Sequence, residues 1–291
     1  MRGDLPLVSI ITPAHNAEKF IAKTLKSVEG QDYQNLEHIV LDDGSTDNTS
    51  SILKQYQKNY NLRWFSKRNE GQTVTVNKGF DMAQGDLVIW LNADDVLFNK
   101  QVTTSIVRKF ESDPSIGVVY GHTAILDENS RIIKIQFSIP WFNLGTLRRA
   151  HFAPGIFYRR NVALKYKLDS TFNYAMDYEQ TLKMCNDRIR FAFLNKILIG
   201  YRRHKATKSM SQRPFLNAET KRLRKKYGEK FGVSYYFSKC LDDSYLLFFK
   251  LCGIKTVVNL YMQPEASQLA FDVKFDSLPK LVLRQVLPYV S

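Results

Sequence analysis

The order of apolar runs and polar clusters in the first hundred residues constrains this chain more than any other feature. Leu7-Val8-Ser9-Ile10-Ile11, His38-Ile39-Val40-Leu41, Leu62 to Phe65 and Leu87-Val88-Ile89-Trp90-Leu91 read as short buried strands. Between them, Glu18 to Glu29 places Phe20, Ile21, Leu25 and Val28 on one helical face. A second helix carries Ile52, Leu53 and Tyr56, and Thr73 to Ala83 forms a third. Strands alternating with helices in this way predict a parallel α/β unit. Strand ends run into polar clusters, and in open α/β sheets ligands bind outside the carboxyl ends of the strands.

Beyond residue 120 the alternation fades. Val118-Val119-Tyr120 and Ile132 to Phe137 predict strands, and Ala175 to Asp187 predicts a helix with Tyr178, Leu182 and Cys185 on one stripe. From Arg213 the chain becomes basic and helical, then aromatic and apolar, so a boundary is expected at Ser211-Gln212-Arg213-Pro214. A chain of 33.7 kDa buries about three-quarters of its extended surface on folding, enough for a core without staples. Its 44% apolar and 24% charged composition excludes collagen-like, disordered and disulfide-framework classes. Cys185, Cys240 and Cys252 match neither a zinc nor a disulfide spacing and read as reduced thiols. The N-terminus lacks a secretory design, and Lys250 and Lys255 interrupt the most apolar late stretch, Tyr245 to Met262. A cytoplasmic location is the expectation.

Charge is unevenly placed. Residues 1–120 hold 13 Lys+Arg and 15 Asp+Glu, whereas Tyr201 to Gly232 alone holds eleven Lys or Arg against Glu219 and Glu229. The basic back half implies a phosphate-rich partner: nucleic acid, anionic lipid headgroups or a diphosphate-bearing small molecule.

Four constellations offer chemistry. Asp42-Asp43-Gly44-Ser45 follows the second strand and, with Pro13-Ala14-His15-Asn16, could form a base and ribose pocket. It reads equally as turn chemistry with Ser45 or Thr46 capping the next helix. Asn92-Ala93-Asp94-Asp95 offers oxygen ligands to Mg²⁺ or Mn²⁺, or else a pair of caps for a helix beginning near Asn99. Met176-Asp177-Tyr178-Glu179 places two acids at i and i+2 on diverging faces of a helix. At most one of them can be a general base, with Asp177 the stronger candidate and helix-dipole complement the alternative. Tyr201-Arg202-Arg203-His204 with Lys208-Ser209 could clamp phosphate oxygens or form a solvated basic loop.

In this order, the segments Val8 to Asn16, Ile39 to Asp47, Asn69-Glu70-Gly71-Gln72, Asn77-Lys78-Gly79, Gly85-Asp86, Trp90 to Asp95, Ala175 to Glu179 and Tyr201 to Ser209 make the chain resemble a family 2 glycosyltransferase. The resemblance covers about residues 7–210. It implies a GT-A fold, with a Rossmann-like, mostly parallel central sheet flanked by helices and a helical, basic C-terminal extension. Residues 1–120 would bind the nucleotide sugar, 121–212 would form the acceptor and catalytic half, and 213–291 the extension. It also implies inverting transfer of a sugar from a nucleotide-diphosphate donor, a UDP-sugar first of all, to a hydroxyl of a saccharide or lipid-linked saccharide, with Mn²⁺ or Mg²⁺. By that similarity Pro13, Ala14, His15 and Asp43 contact base and ribose. Asn16, Glu18, Asp42, Gln72, Asn77, Asn92 and Ala93 surround the same donor, and Asp94 and Asp95 hold the metal. Asp177 is the general base, and His204 and Lys208 offset charge on the leaving diphosphate.

Asn92 stands where the family's Asp-x-Asp motif begins, and Met176 stands where a Glu usually precedes the base, leaving Glu179 for a supporting role. Two other classes compete. One is a nucleic-acid-binding protein, which lacks any recognisable module here. The other is a nucleotide-sugar binder without activity, against which the retained Asp94, Asp95 and Asp177 argue. Gly253 to Met262 and Leu278 to Arg284 mix apolar and basic residues, as in a segment held at an anionic membrane face or packed as a helical layer.

Overall fold

A computed structural model describes residues 5–136, 138, 155–205, 207, 212–228 and 274–275. The front half is as the periodicity predicts. Strands β1 (Val8–Ala14), β2 (Leu36–Asp42), β3 (Leu62–Ser66) and β4 (Leu87–Trp90) pair in parallel in the order β3-β2-β1-β4. Helices α1 (Ile21–Glu29), α2 (Thr49–Tyr56) and α3 (Gln72–Met82) connect them. Every residue of β1 and β2 is buried, so apolar residues are not confined to alternate positions, and the polar ones among them pair across the strands, Ser9 with Glu37 and Thr12 with His38.

Past β4 the chain forms β5 (Val96–Leu97), α4 (Val102–Glu111), β6 (Val118–Leu126), β7 (Arg131–Gln136), β8 (Ile156–Arg159), α5 (Arg160–Lys165), α6 (Met176–Asn186), β9 (Phe191–Arg202), α7 (Arg213–Gly228) and the two-residue β10 (Lys274–Phe275). Here β8 inserts antiparallel between β4 and β6, and β9 runs parallel to β6 and antiparallel to β5. The strands β8 and β9 carry no clean period in the sequence. In β9 the exposed Asn195-Lys196 interrupts the apolar run, and the register against β6 shifts on both sides of His122. The sheet is α/β, mostly parallel in its first half and flanked by helices.

The expected boundary after residue 212 is not where packing stops. Leu223 and Tyr227 of α7 are buried in the same core cluster as Phe80, Phe172, Tyr178 and Leu182. Cys185 is a free, half-buried thiol that burial pushes up to about 12. Cys240, Cys252 and the segments at 253–262 and 278–284 lie outside the described residues. Among the described residues, no helix is long and apolar enough to cross a membrane.

Candidate active site

The strand-end loops of β1 and β2 are stitched together by their own polar groups. Asn16 sits in the left-handed region at φ 48°, and its backbone N–H donates to Ser45 Oγ at 2.9 Å. Its Oδ1 accepts from the Thr46 N–H at 2.8 Å. Ser45 and Thr46 thus bridge the loops and do not cap α2. That end is served by Asp47, which accepts from the Thr49 N–H at 3.0 Å, and by Glu18, which accepts from the Asn48 N–H at 2.9 Å. The expected helix from Glu18 begins three residues later for the same reason, since Glu18 is turned toward α2.

Asp42 is buried and spends both oxygens locally, on the Ser45 N–H at 3.0 Å and the Ser50 hydroxyl at 2.7 Å. Asp43 is buried as well and draws in the loop after β3. It pairs with the Lys67 ammonium and accepts from the N–H groups of Glu70 and Gly71, both at 2.9 Å. Burial would raise its pKa, but these donors outweigh that and hold the carboxyl below the usual range. Gly44 at φ 76° is required here, because a Cβ would lie 3.1 Å from the Asn69 nitrogen. His15 is exposed, with Nδ1 3.0 Å from the Asp43 carbonyl and Asn69 3.4 Å from the ring. Pro13 and Ala14 end β1 as buried residues. The structure turns Asn77 away from this corner, because both ends of its amide hold the Leu168 backbone, each at 2.9 Å. An expected donor contact is therefore a strut between α3 and the loop after α5.

After β4 the two adjacent acids have opposite fates. Asp95 is fully buried, accepting from the Arg202 N–H at 2.9 Å and from the Asn92 amide at 2.9 Å. Burial and the neighbouring Asp94 charge push its pKa well up. It neither caps α4, which starts at Val102, nor faces outward, and both its oxygens serve the fold. Asp94 keeps 28% of its side chain exposed, and its Oδ2 lies 2.9 Å from Nε2 of His204, itself 14% exposed. The imidazole is held by the 204–207 turn and packs 4.8 Å from the Phe20 ring. Arg202 is no phosphate clamp. Its buried guanidinium donates to the Asp94 carbonyl, the Asp127 carbonyl and Ser130 Oγ at 2.9, 3.1 and 2.8 Å. Lys208 and Ser209 lie outside the described residues.

Asn92 explains its own departure from the acidic motif. Its Oδ1 accepts from Trp90 Nε1 and Gln72 Nε2, each at 3.0 Å, while its amide nitrogen donates to Asp95. An amide does both, whereas an ionised carboxylate here would have no proton to offer Asp95. Ala93 is buried with its carbonyl on Thr24 Oγ1 at 2.8 Å.

The third acid, Asp177, lies in the first turn of α6, half-buried, with Oδ1 accepting from the Tyr178 N–H at 2.7 Å. Desolvation leads the forces that raise its pKa to about 6, and Glu219 adds to the rise. Glu179 takes no part beside it. It is fully buried on the other face, toward Lys183 at 3.1 Å and Tyr227 at 3.3 Å. The start of α3 links the two corners through consecutive residues: Gln72 holds Asn92, and Thr73 Oγ1 donates to the Phe172 carbonyl at 3.1 Å, five residues before Asp177. The sequence reading missed Glu219, which accepts three backbone N–H groups ahead of α6. A lone acid in a basic helix gives no local signal of that.

Among the described residues no cluster of three or more His, Cys, Asp or Glu side chains forms a ready-made metal cage. Asp94 and His204 supply one hard oxygen and one imidazole nitrogen at a partly open corner. The Asp94 oxygen fits a Mn²⁺ or Mg²⁺ ion whose remaining ligands come from a diphosphate and water, and the imidazole beside it is a donor that Mg²⁺ does not favour.

The glycosyl transferase family 2 profile matches residues 9–173. The chain belongs to that family. It is 30% identical over 198 residues to chondroitin synthase of Escherichia coli, covering 66% of this chain and 28% of that protein. The chain thus spans well under two-thirds of that relative. Two solved structures share its fold. The S. aureus TarS fragment 1-349 in complex with UDP-GlcNAc is 21% identical, with a TM-score of 0.56 over 70% of this chain and 60% of that one. The mannosyltransferase PcManGT of Pyrobaculum calidifontis in complex with GDP-Man and Mn²⁺ is 15% identical, with a TM-score of 0.55 over 90% and 78%. The chain therefore carries a family 2 glycosyltransferase domain on a GT-A-like sheet.

Proposed function

We propose that this glycosyltransferase moves a sugar from a nucleotide-diphosphate donor, a UDP-sugar first of all, to a hydroxyl of a saccharide or lipid-linked saccharide, inverting the anomeric carbon, in cell-surface polysaccharide assembly. The observation that carries the reading is the link through Gln72 and Thr73 between the Asp94–His204 corner and the segment leading to Asp177. Asp177 accepts the acceptor hydroxyl's proton. Its carboxyl, raised to about 6, is still ionised near neutral pH and is a stronger base than an exposed aspartate. The acceptor oxygen then attacks from the face opposite the departing diphosphate. Asp94 would hold a divalent cation, which when bound supplies positive charge to the leaving group, and His204 beside it would face the same diphosphate. The Mn²⁺ and GDP-Man in the Pyrobaculum structure and the UDP-GlcNAc in the staphylococcal one support this donor class.

The test is a thermal-shift series of the purified chain with UDP, GDP and dTDP, with and without Mn²⁺. A ligand that binds only the native state raises the melting temperature, by an amount that grows with its concentration over Kd. The expected result is a UDP shift that requires Mn²⁺ and disappears in Asp94→Asn. A shift indifferent to both metal and Asp94 would remove the metal from the reading. Exposed Lys221, Lys225 and Lys226 on α7 support placing the protein at the inner face of an anionic membrane. Failure to sediment with phosphatidylglycerol vesicles at low salt would end that placement.

A further inference from the structure

We propose that Glu219, on α7 and outside the residues that match the family profile, is the positioning residue for Asp177. The inference rests on reading Asp177 as the general base. One oxygen of Glu219 accepts the N–H of Asn173 at 3.0 Å, and the other accepts those of Tyr174 at 2.9 Å and Ala175 at 2.8 Å. Three consecutive amides turned onto one carboxylate fix the path of the chain into α6, whose N-cap residue, Ala175, has no side-chain cap. Hydrogen bonds to an ionised acceptor are shorter and stronger than neutral ones, and here they act together on a single segment. Asp177 follows Ala175 by two residues, so a shift of that segment moves its carboxylate.

The clamp itself is anchored twice. Phe215, at the start of α7, stacks on Tyr174 with ring centroids 5.8 Å apart and an interplanar angle of 19°. Leu223 and Tyr227, further along α7, are buried in the core beside Tyr178 of α6. The titratable groups that bear on Asp177 from packed elements are Tyr158 of β8 and Glu219 of α7. Glu179, on the helix of Asp177 itself, is turned toward Lys183 and Lys226. Glu219 therefore has two separable effects: its geometry holds the segment, and its charge opposes ionisation of Asp177.

The two effects are measured on the full chain without any substrate. Amide hydrogen exchange reports the clamp at residues 173–175. The carboxyl stretching band that differs between the wild type and Asp177→Asn reports the protonation of Asp177. In Glu219→Gln the three amides should exchange at least about tenfold faster, and Asp177 should titrate at lower pH than in the wild type. Glu219→Asp keeps the charge but retracts it by one methylene, so the amides should loosen while the titration stays near that of the wild type. Unchanged exchange in either variant overturns the proposal, as does an unmoved titration in Glu219→Gln. If Glu219→Gln does not fold, the exchange comparison in Glu219→Asp decides alone. Sugar transfer retained by Asp177→Asn would instead break the base assignment while leaving both readouts standing.

Discussion

Two sets of acids, one at the end of β2 and one in the first turn of α6, have been built to opposite ends. Asp42 and Asp43 at the end of β2 are buried with their oxygens engaged by the chain's own donors, and the Asp43 carboxyl lies below its usual range. At Asp177 desolvation wins over a shorter list of donors, and the carboxyl rises to about 6. The lesson is that burial alone does not mark a working acid. What matters is whether the donors that accompany burial outweigh it. The linkage runs in opposite directions. The stability that Asp43 contributes is present above its unfolded pKa and is lost as pH falls through its depressed folded value. Asp177, with a raised folded pKa, contributes most below the unfolded value of about 4, and that contribution is lost as pH rises through about 6.

The sharpest way to break this comparison is Asp177→Asn. Transfer should fall by about 10²–10⁴-fold, the usual worth of a general base, with the metal-dependent nucleotide shift intact. The same variant should be more stable than the wild type at pH 8, by on the order of 1–3 kcal/mol in urea unfolding, and equal to it at pH 4. A stability difference that is flat with pH would show that Asp177 is not the desolvated acid described here. A smaller effect is expected at Asn92. Asn92→Asp sets a second carboxylate against Asp95 and should cost about 1–3 kcal/mol, as an unsatisfied buried acceptor does. Exchanging the two residues, in Asn92→Asp with Asp95→Asn, restores a donor facing an acceptor and should recover most of the loss. If the exchange is no better than the single change, the hydrogen-bond account of Asn92 fails.

Much of the front half was legible because the signals are local. A continuous apolar strand, a helical stripe and a Gly44 turn are each written within a few residues, so β1 to β4 and α1 to α3 appear nearly where the periodicity puts them. The strands β8 and β9 were not legible, since one inserts antiparallel against partners far away in the chain and the other is broken by exposed polar residues and register shifts. Site residues divide in the same way. Asp94, Asp177 and His204 stand out by type and order. The resemblance also puts Asn77 and Glu18 around the donor, yet in the fold one is a strut to Leu168 and the other serves α2.

By itself, the sequence determined the parallel α/β half, the family and the identities of the acids at its strand ends. Only the tertiary structure decided which acid faces outward. Asp94 and Asp95 are adjacent and chemically identical, and they differ because the Arg202 backbone, 107 residues beyond Asp95, arrives to hold one of them inside. Likewise Glu219 reaches the amides before Asp177 across more than forty residues. An acid's pKa and direction depend on donors and desolvation delivered by distant segments, and no spacing along the chain encodes them.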